Sequence, residues 1–399
     1  MILNVIIKMV MKMKKMISVV SAVFILLLSI FVIDYNTTGY IKNAFFTPVE
    51  DEVQTVKILA TGDIMYHLPL YIKNFDETTG KYDFSTYYEK MKEYIDASDI
   101  VVGNFESTIN PNRKISGHPM FNSPPESVEY LKDIGFDILS TANNHCLDTS
   151  IEGVETTIDA IESVGLKNFG TYRDNNRELL IVEENEIKIG FLSYSEIFNG
   201  LDYNIAEDKI NNISPMNRDL ISGDIDNLKA QGVDFIVVYP HWGVEYSTSP
   251  SEFQREMNDY FLSLGADVVL GSHPHVLQPV EYREINGNNK FSIYSMGNSI
   301  SNQRKPWMKN RGVEFGAFVE LTVEKNITKG TTVLAAVDVK PTYVNRYRDE
   351  KGLFKYEVVA LNDLMETGKH RDEIDDSTKK FVDENYQWVM DVLNNKEAK

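Results

Sequence analysis

Six short apolar runs, each breaking off into a polar cluster, constrain this chain more than any other feature. They are VKILATGD (56–63), DIVVGNFES (99–107), FDILSTANNH (136–145), DFIVVYPHWG (234–243), ADVVLGSHPH (266–275) and FSIYSMGN (291–298). Runs of this length, rich in β-branched residues, read as strands buried on both faces. Between them, Val154, Ile158 and Ile161 fall at the i, i+4, i+7 spacing of one helix face. Gly135, Gly232 and Gly265 each stand two residues before an aspartate that opens a run, the place for a left-handed helix C-cap. Strands alternating with helices predict an α/β sheet with helices packed on it.

Beyond residue 303 the pattern changes. EFGAFVELTVE (314–324), TTVLAAVDVKPTYV (331–344) and FKYEVVAL (354–361) predict antiparallel strands, and residues 376–393 a closing helix. No Pro/Gly/Ser-rich linker intervenes, so 304–399 is expected to complete the domain formed by 56–303.

The first 55 residues are of another kind. Lys8, Lys12, Lys14 and Lys15 precede an uncharged apolar run from Met16 to Ile33, close to the roughly 17–25 residues that cross a bilayer as a helix. The expected organisation is a cytoplasmic basic segment (1–15), a transmembrane anchor (16–33) and a polar tether (34–55). Positive residues stay inside, so the expectation is a single-pass cell-membrane protein with its bulk extracytoplasmic. A cleaved signal peptide is the competing reading. Its apolar core is usually about 7–15 residues with a small-x-small site after it, and DYNTTGY offers none.

With 40 Lys+Arg against 59 Asp+Glu, the net charge of -19 excludes nonspecific nucleic-acid binding. A polyanionic ligand would need a local positive feature, such as bound cations. Cys146 is the single cysteine, so no intrachain disulfide forms.

The polar clusters share the C-terminal ends of strands, the edge where α/β sheets bind ligands. Of 7 histidines, His67, His145, His241, His273 and His275 fall in or near these clusters, accompanied by Asp63, Asn104, Glu106, Asn144, Asp148 and Glu245. Imidazoles and carboxylates converging from several strand ends suit one or two divalent ions, Mn, Zn or Fe. Such ions polarise a substrate oxygen and acidify a water.

The motifs ATGDIMYH, GNFES, TANNHCLD, YPHWGVEY, GSHPHVLQ and IYSMGNSISNQ, in that order over about 56–303, resemble the capsule-synthesis protein CapA family. That family in turn resembles the calcineurin-like metallophosphatases. The resemblance implies a four-layer α/β/β/α sandwich behind an N-terminal anchor, acting in poly-γ-glutamate capsule synthesis or export. It implies as partners the cell membrane, poly-γ-glutamate or another anionic polymer, and membrane-bound polyglutamate synthase components. It also implies a metal-dependent, hydrolase-type site. Asp63, His67, Glu106, Asn144, His241, His273 and His275 would be the metal ligands, with His145 as proton donor and Asp148 orienting it. The chain departs from the superfamily pattern twice. Asn104 stands where a bridging aspartate is expected, leaving that role to Glu106, and His67 sits in D-x-x-x-H rather than D-x-H spacing.

Plainer readings stand beside these: Asp63 as a cap, Glu106 as a surface carboxylate, Glu245 as an outer hydrogen-bonding partner, and Trp242 as packing or a substrate-facing aromatic. Asn298 and Gln303 would line the cleft, and Cys146 would be a small buried residue rather than a nucleophile. Two other functions remain open: a non-catalytic, metal-bridged polymer-binding or scaffold subunit, and a generic extracytoplasmic metallophosphoesterase.

Overall fold

The computed structural model describes residues 2–36 and 51–396, and the chain divides into two units, 1–52 and 53–399. In the first, a single helix, Ile2–Asn36, runs through the lysines without a break. Its stretch Leu3–Ile33 is long and apolar enough to cross a membrane. The expected boundary between residues 15 and 16 is therefore not a helix boundary. Residues 37–50 of the expected tether lie outside the described residues.

The described residues of the second unit form sixteen strands. In chain order they begin β1 (Val53–Ile64), β2 (Phe75–Asp76), β3 (Lys81–Tyr82), β4 (Ile100–Phe105), β5 (Ile138–Ser140), β6 (Lys167–Phe169), β7 (Leu180–Glu184) and β8 (Ile187–Ser195). They continue β9 (Phe235–His241), β10 (Val268–Leu270), β11 (Val280–Ile285), β12 (Asn288–Ile293), β13 (Asn298–Ile300), β14 (Phe315–Asn326), β15 (Thr331–Arg348) and β16 (Phe354–Ala360). One sheet has the order β16-β15-β14-β1-β4-β5-β6, with β13 paired to the end of β1. The other has the order β11-β12-β10-β9-β8-β7, and β2–β3 is a separate hairpin. In the first sheet β1, β4, β5 and β6 are parallel, and in the second β8, β9, β10 and β12.

The two sheets face each other across one core. Ile58, Val102 and Phe169 from the first meet Phe191, Val237 and Val268 from the second, together with Val389 and Val392 of the C-terminal helix Asp376–Leu393. Successive side chains on a strand point to opposite faces, and here both faces are covered. Leu59, Val101 and Leu139 turn outward beneath Val128 and Leu131 of the helix Glu126–Ile134. Leu192, Val238 and Val269 turn outward beneath Ile225 and Leu228 of Arg218–Ala230 and Phe261 of Glu252–Leu264. Four layers result, helix, sheet, sheet, helix, and the strands read as unbroken apolar runs because neither face meets water. Each fully buried Val, Leu, Ile or Phe contributes about 1.5–3 kcal/mol.

The glycines at 135 and 265 are left-handed helix caps, and Gly232, with φ +73°, stands just past the cap residue Gln231 of its helix. The aspartate two residues after each has its own task. Asp137, Asp234 and Asp267 each donate their N–H to a carbonyl of the preceding parallel strand, on Val101, Lys188 and Ile236. Their carboxylates accept N–H groups from those same three residues, at 3.0, 2.9 and 2.8 Å. Asp99 makes the same pair of bonds with Lys57. Four parallel joints are thus pinned in register at the strand beginnings, the end opposite the polar clusters.

At the other end, β1 and β13 approach so closely that a Cβ on Gly62 would stand 2.0 Å from the Gly297 carbonyl oxygen. Only glycine fits there, and the Asp63 N–H bonds that same oxygen at 3.0 Å.

Candidate metal centre

The polar clusters meet where the C-terminal ends of β1, β4 and β9 face the loops after β5 and β10. Two groups of side chains emerge, each offering ligand atoms within 4.8 Å of one another: Asp63, Glu106 and His241, and Glu245, His273 and His275. All are buried except Glu245, which lies on the open side.

Asp63 organises the first group. Its Oδ1 accepts a hydrogen bond from the Asn104 amide at 2.8 Å, and its Oδ2 accepts the His273 backbone N–H at 3.2 Å and lies 3.1 Å from His275 Nδ1. Asn104 is therefore a donor that fixes a carboxylate. It also lies 3.3 Å from His241 Nδ1. His241 Nε2 stands 2.9 Å from Asn144 Oδ1 and 3.2 Å from His273 Nδ1, which brings atoms from three loops to one point.

Glu106 is the unsatisfied member. It is fully buried, and neither carboxylate oxygen has a hydrogen-bond partner. Its Oε1 lies 3.7 Å from His241 Nε2 and 3.8 Å from His275 Nε2, too far for hydrogen bonds. Burial, and then the Asp63 and Glu245 carboxylates, push its carboxyl well above the usual range. Burial first, and then neighbouring imidazoles, hold His241 well below the ordinary histidine value and His273 down at about 3. Shifts in this direction favour the neutral ring, the form in which histidine ligates a metal. A buried carboxylate with no partner beside such rings is costly unless a cation joins them. The donor set of carboxylates, imidazoles and an amide oxygen fits a divalent ion.

His145 lies beside this group. Its Nδ1 is 2.7 Å from Asp148 Oδ2, and its ring meets Phe121 edge-on at 4.8 Å. The same Asp148 oxygen accepts the Phe121 N–H at 2.5 Å. His145 lines a cleft of about 310 Å³, walled also by Met65, Asn144, Glu245, Tyr246, His275 and Gln303. None of the described residues lining it is a lysine or arginine.

The remaining candidates take other places. His67 belongs to neither ligand group. Its Nδ1 lies 3.3 Å from the Met65 carbonyl and 3.4 Å from the Asn302 N–H, its ring stands edge-on to Phe121, and burial lowers it to about 3. Trp242 is wholly buried, donating to the Tyr294 carbonyl and packing on Phe261. Asn298 donates to the carbonyls of His275 and Val313 and to Gln303, holding the loop from behind. Gln303 reaches the cleft and faces Tyr246. Cys146 is buried in an apolar cluster with Leu147, Val154 and Phe198, and burial pushes its thiol up to about 12.

Sequence reasoning passed over Asn143. Its amide donates to Asn104 Oδ1 and the Phe105 carbonyl, and its Oδ1 accepts the His145 N–H. It ties the loops after β4 and β5 together, and the doubled asparagine in TANNHCLD was the available signal.

Fold and site together define a two-sheet, four-layer α/β protein with histidine and carboxylate groups at one edge of the sandwich. Residues 57–303 match the model of the family described as bacterial capsule synthesis protein PGA_cap, and the chain belongs to that family. It is 29% identical over 284 residues to the PGA biosynthesis protein CapA of Bacillus subtilis (strain 168), covering 70% of each chain. It is 26% identical over 297 residues to the capsule biosynthesis protein CapA of Bacillus anthracis, covering 72% of this chain and 67% of the other. Among solved structures, the calcineurin-like phosphoesterase YfkN from Bacillus subtilis superposes with a TM-score of 0.47 at 15% identity, over 73% of this chain and 91% of that one.

Proposed function

We propose that this chain is a membrane-anchored, extracytoplasmic protein of poly-γ-glutamate capsule synthesis or export, and that its site performs metal-dependent hydrolysis. The observation that carries the second part is Glu106: a buried carboxylate with no partner, facing Asp63 and neutral histidines. Asp63, Glu106, Asn144, His241, His273, His275 and Glu245 would hold one or two divalent ions, Mn, Zn or Fe. Bound there, such ions supply Lewis acidity and positive charge. Among the described residues no lysine or arginine lines the cleft, so ions would also offset the field of a chain with net charge -19 toward an anionic polymer. The His145–Asp148 pair, at 2.7 Å, is placed to deliver a proton to a leaving atom in the cleft. The helix Ile2–Asn36 supports the anchor, and its lysines support an orientation with the amino-terminal side in the cytoplasm. Membrane-bound polyglutamate synthase components are the expected partners.

A second reading keeps the ions and drops the turnover, leaving a cation-bridged cradle for a carboxylate polymer. Asn104 favours it, because a neutral amide occupies a position beside Asp63 where a further carboxylate would bind metal more strongly. Elemental analysis of the protein purified with metal supplied, followed by assays of poly-γ-glutamate and model phosphoesters with wild type and His145→Ala, separates the two. Metal with His145-dependent turnover supports the enzyme; metal and polymer binding without turnover supports the cradle. Less than about a tenth of an equivalent of metal would sink both, since ligand sets of this kind bind divalent ions tightly.

A further inference from the structure

The helix Ile2–Asn36 is much longer than a bilayer needs. At about 1.5 Å per residue it extends about 52 Å, against a hydrocarbon core of about 30 Å. The lysine-free run from Met16 to Ile33 alone covers about 27 Å of that core. Lys12, Lys14 and Lys15 fix where the crossing starts, because ammonium groups stay at the headgroup level. The preceding stretch is thereby held out of the core, yet it is mostly apolar.

Its pattern is that of a surface helix. Asn4, Lys8, Lys12 and Lys15, spaced by four, four and three residues, form one stripe. Leu3, Ile6, Met9, Val10 and Met13 form the opposite face, and all are exposed, Leu3 at 71% and Met9 at 65%. Water cannot be the partner of such a face without a large hydrophobic penalty. Insertion into the core would carry the lysines with it. Residues 1–33 contain four lysines and no acidic residue, in a chain of net charge -19, so the stripe complements an anionic surface.

We infer that residues 3–15 form a cationic amphipathic segment lying along the anionic headgroups of the leaflet on the lysine side, the helix, continuous in this structure, bending beside Lys14 and Lys15 once in the membrane. The apolar face enters the acyl boundary and the lysine stripe meets the headgroups. This rests on the anchor reading, and it makes anchoring depend on lipid charge as well as on the span.

Spin labels on the full-length protein in nanodiscs test it, using single-cysteine variants in a Cys146→Ser background. Asn4→Cys, Ile6→Cys, Lys8→Cys and Val10→Cys sample the two faces, and Phe24→Cys samples the span. In phosphatidylglycerol-containing discs, oxygen accessibility relative to an aqueous nickel chelate should be at least about threefold higher at 6 and 10 than at 4 and 8, as for an in-plane helix. That contrast should shrink in pure phosphatidylcholine discs and in a Lys8/Lys12/Lys15→Gln variant. Equal aqueous exposure at 4, 6, 8 and 10, shielding from both reagents as a protein partner would give, or indifference to lipid charge would each overturn the inference. An aqueous label at Phe24 would overturn the anchor reading itself, and the surface segment with it.

Discussion

Asp63 Oδ2 holds both histidines of the His-Pro-His turn, accepting the His273 N–H at 3.2 Å and facing His275 Nδ1 at 3.1 Å. Both histidines have positive φ, +97° and +56°, a conformation that costs a non-glycine residue about 1–3 kcal/mol and persists only when its surroundings enforce it. Asp63→Ala is therefore expected to loosen the turn as well as remove a ligand. Bound metal should fall below half of wild type, and amide exchange should accelerate across residues 271–277. Unchanged exchange there would mean that the turn is held by something other than Asp63.

Glu106→Gln separates the site from the fold. The folded-state carboxyl lies above its unfolded value, so the metal-free folded state binds the extra proton. Its contribution is least unfavourable below about pH 4.3, the ordinary glutamate value, and stability erodes as pH rises above it. The glutamine variant removes that slope, and without metal at pH 7 it should melt at or above the wild-type temperature. It should also lose the rise in melting temperature that added Mn or Zn gives the wild type. A metal-free variant that melts well below wild type would show that Glu106 has a hydrogen-bonding role in the fold.

Asp148→Asn tests the proton donor without touching a ligand. The asparagine keeps the shape but weakens the orientation of His145 and its charge-assisted bond. If the site turns over substrate, the rate should fall about 10²–10⁴-fold, the usual worth of a positioned acid or base. Metal content should stay at the wild-type level. Equal rates would remove the pair from the reaction.

Asp375 offers a pH test far from the site. Its side chain caps the helix Asp376–Leu393, accepting from the Thr378 N–H at 2.8 Å and the Ser377 hydroxyl at 2.6 Å. Those bonds hold its carboxyl below the usual range. The cap's contribution is present above about pH 3.9, the unfolded value, and is lost as pH falls through the lower folded value. Asp375→Ala should cost about 1 kcal/mol at pH 7, measured by denaturant melts, and the difference from wild type should narrow toward pH 3. A gap independent of pH would assign the loss to the backbone and not to the carboxylate.

Nine of the sixteen strands, β1, β4, β5, β9, β10, β12, β14, β15 and β16, were legible as apolar or alternating runs, and so was the C-terminal helix; most of the others are short or lie at sheet edges and carry no such signal. Which strand lies beside which was not legible, since pairing is set by contacts far apart in sequence. The split into two facing sheets is therefore a tertiary result. The central strand β8, IKIGFLSYS, has the same apolar signal but ends in no histidine or carboxylate cluster, and sequence reasoning passed over it. At the site, residue types pointed to convergence, but roles depended on neighbours. Trp242 turned out to be packing because Tyr294 and Phe261 surround it. His67 falls in neither ligand group and contacts Phe121 and Asn302. The task of Asp137, Asp234 and Asp267 depends on the adjacent strand, which no local spacing reveals.

Those aspartates divide labour along the length of the sandwich. The residues that set strand alignment and the residues that would do chemistry occupy opposite ends of the same strands. Loops at the ligand-bearing end can be lengthened, exchanged or recharged while the far end still delivers each strand at the same level. A single-residue slip would turn every outward side chain inward, and these joints stand against such a slip. The architecture can therefore accept a new substrate without relearning how to fold.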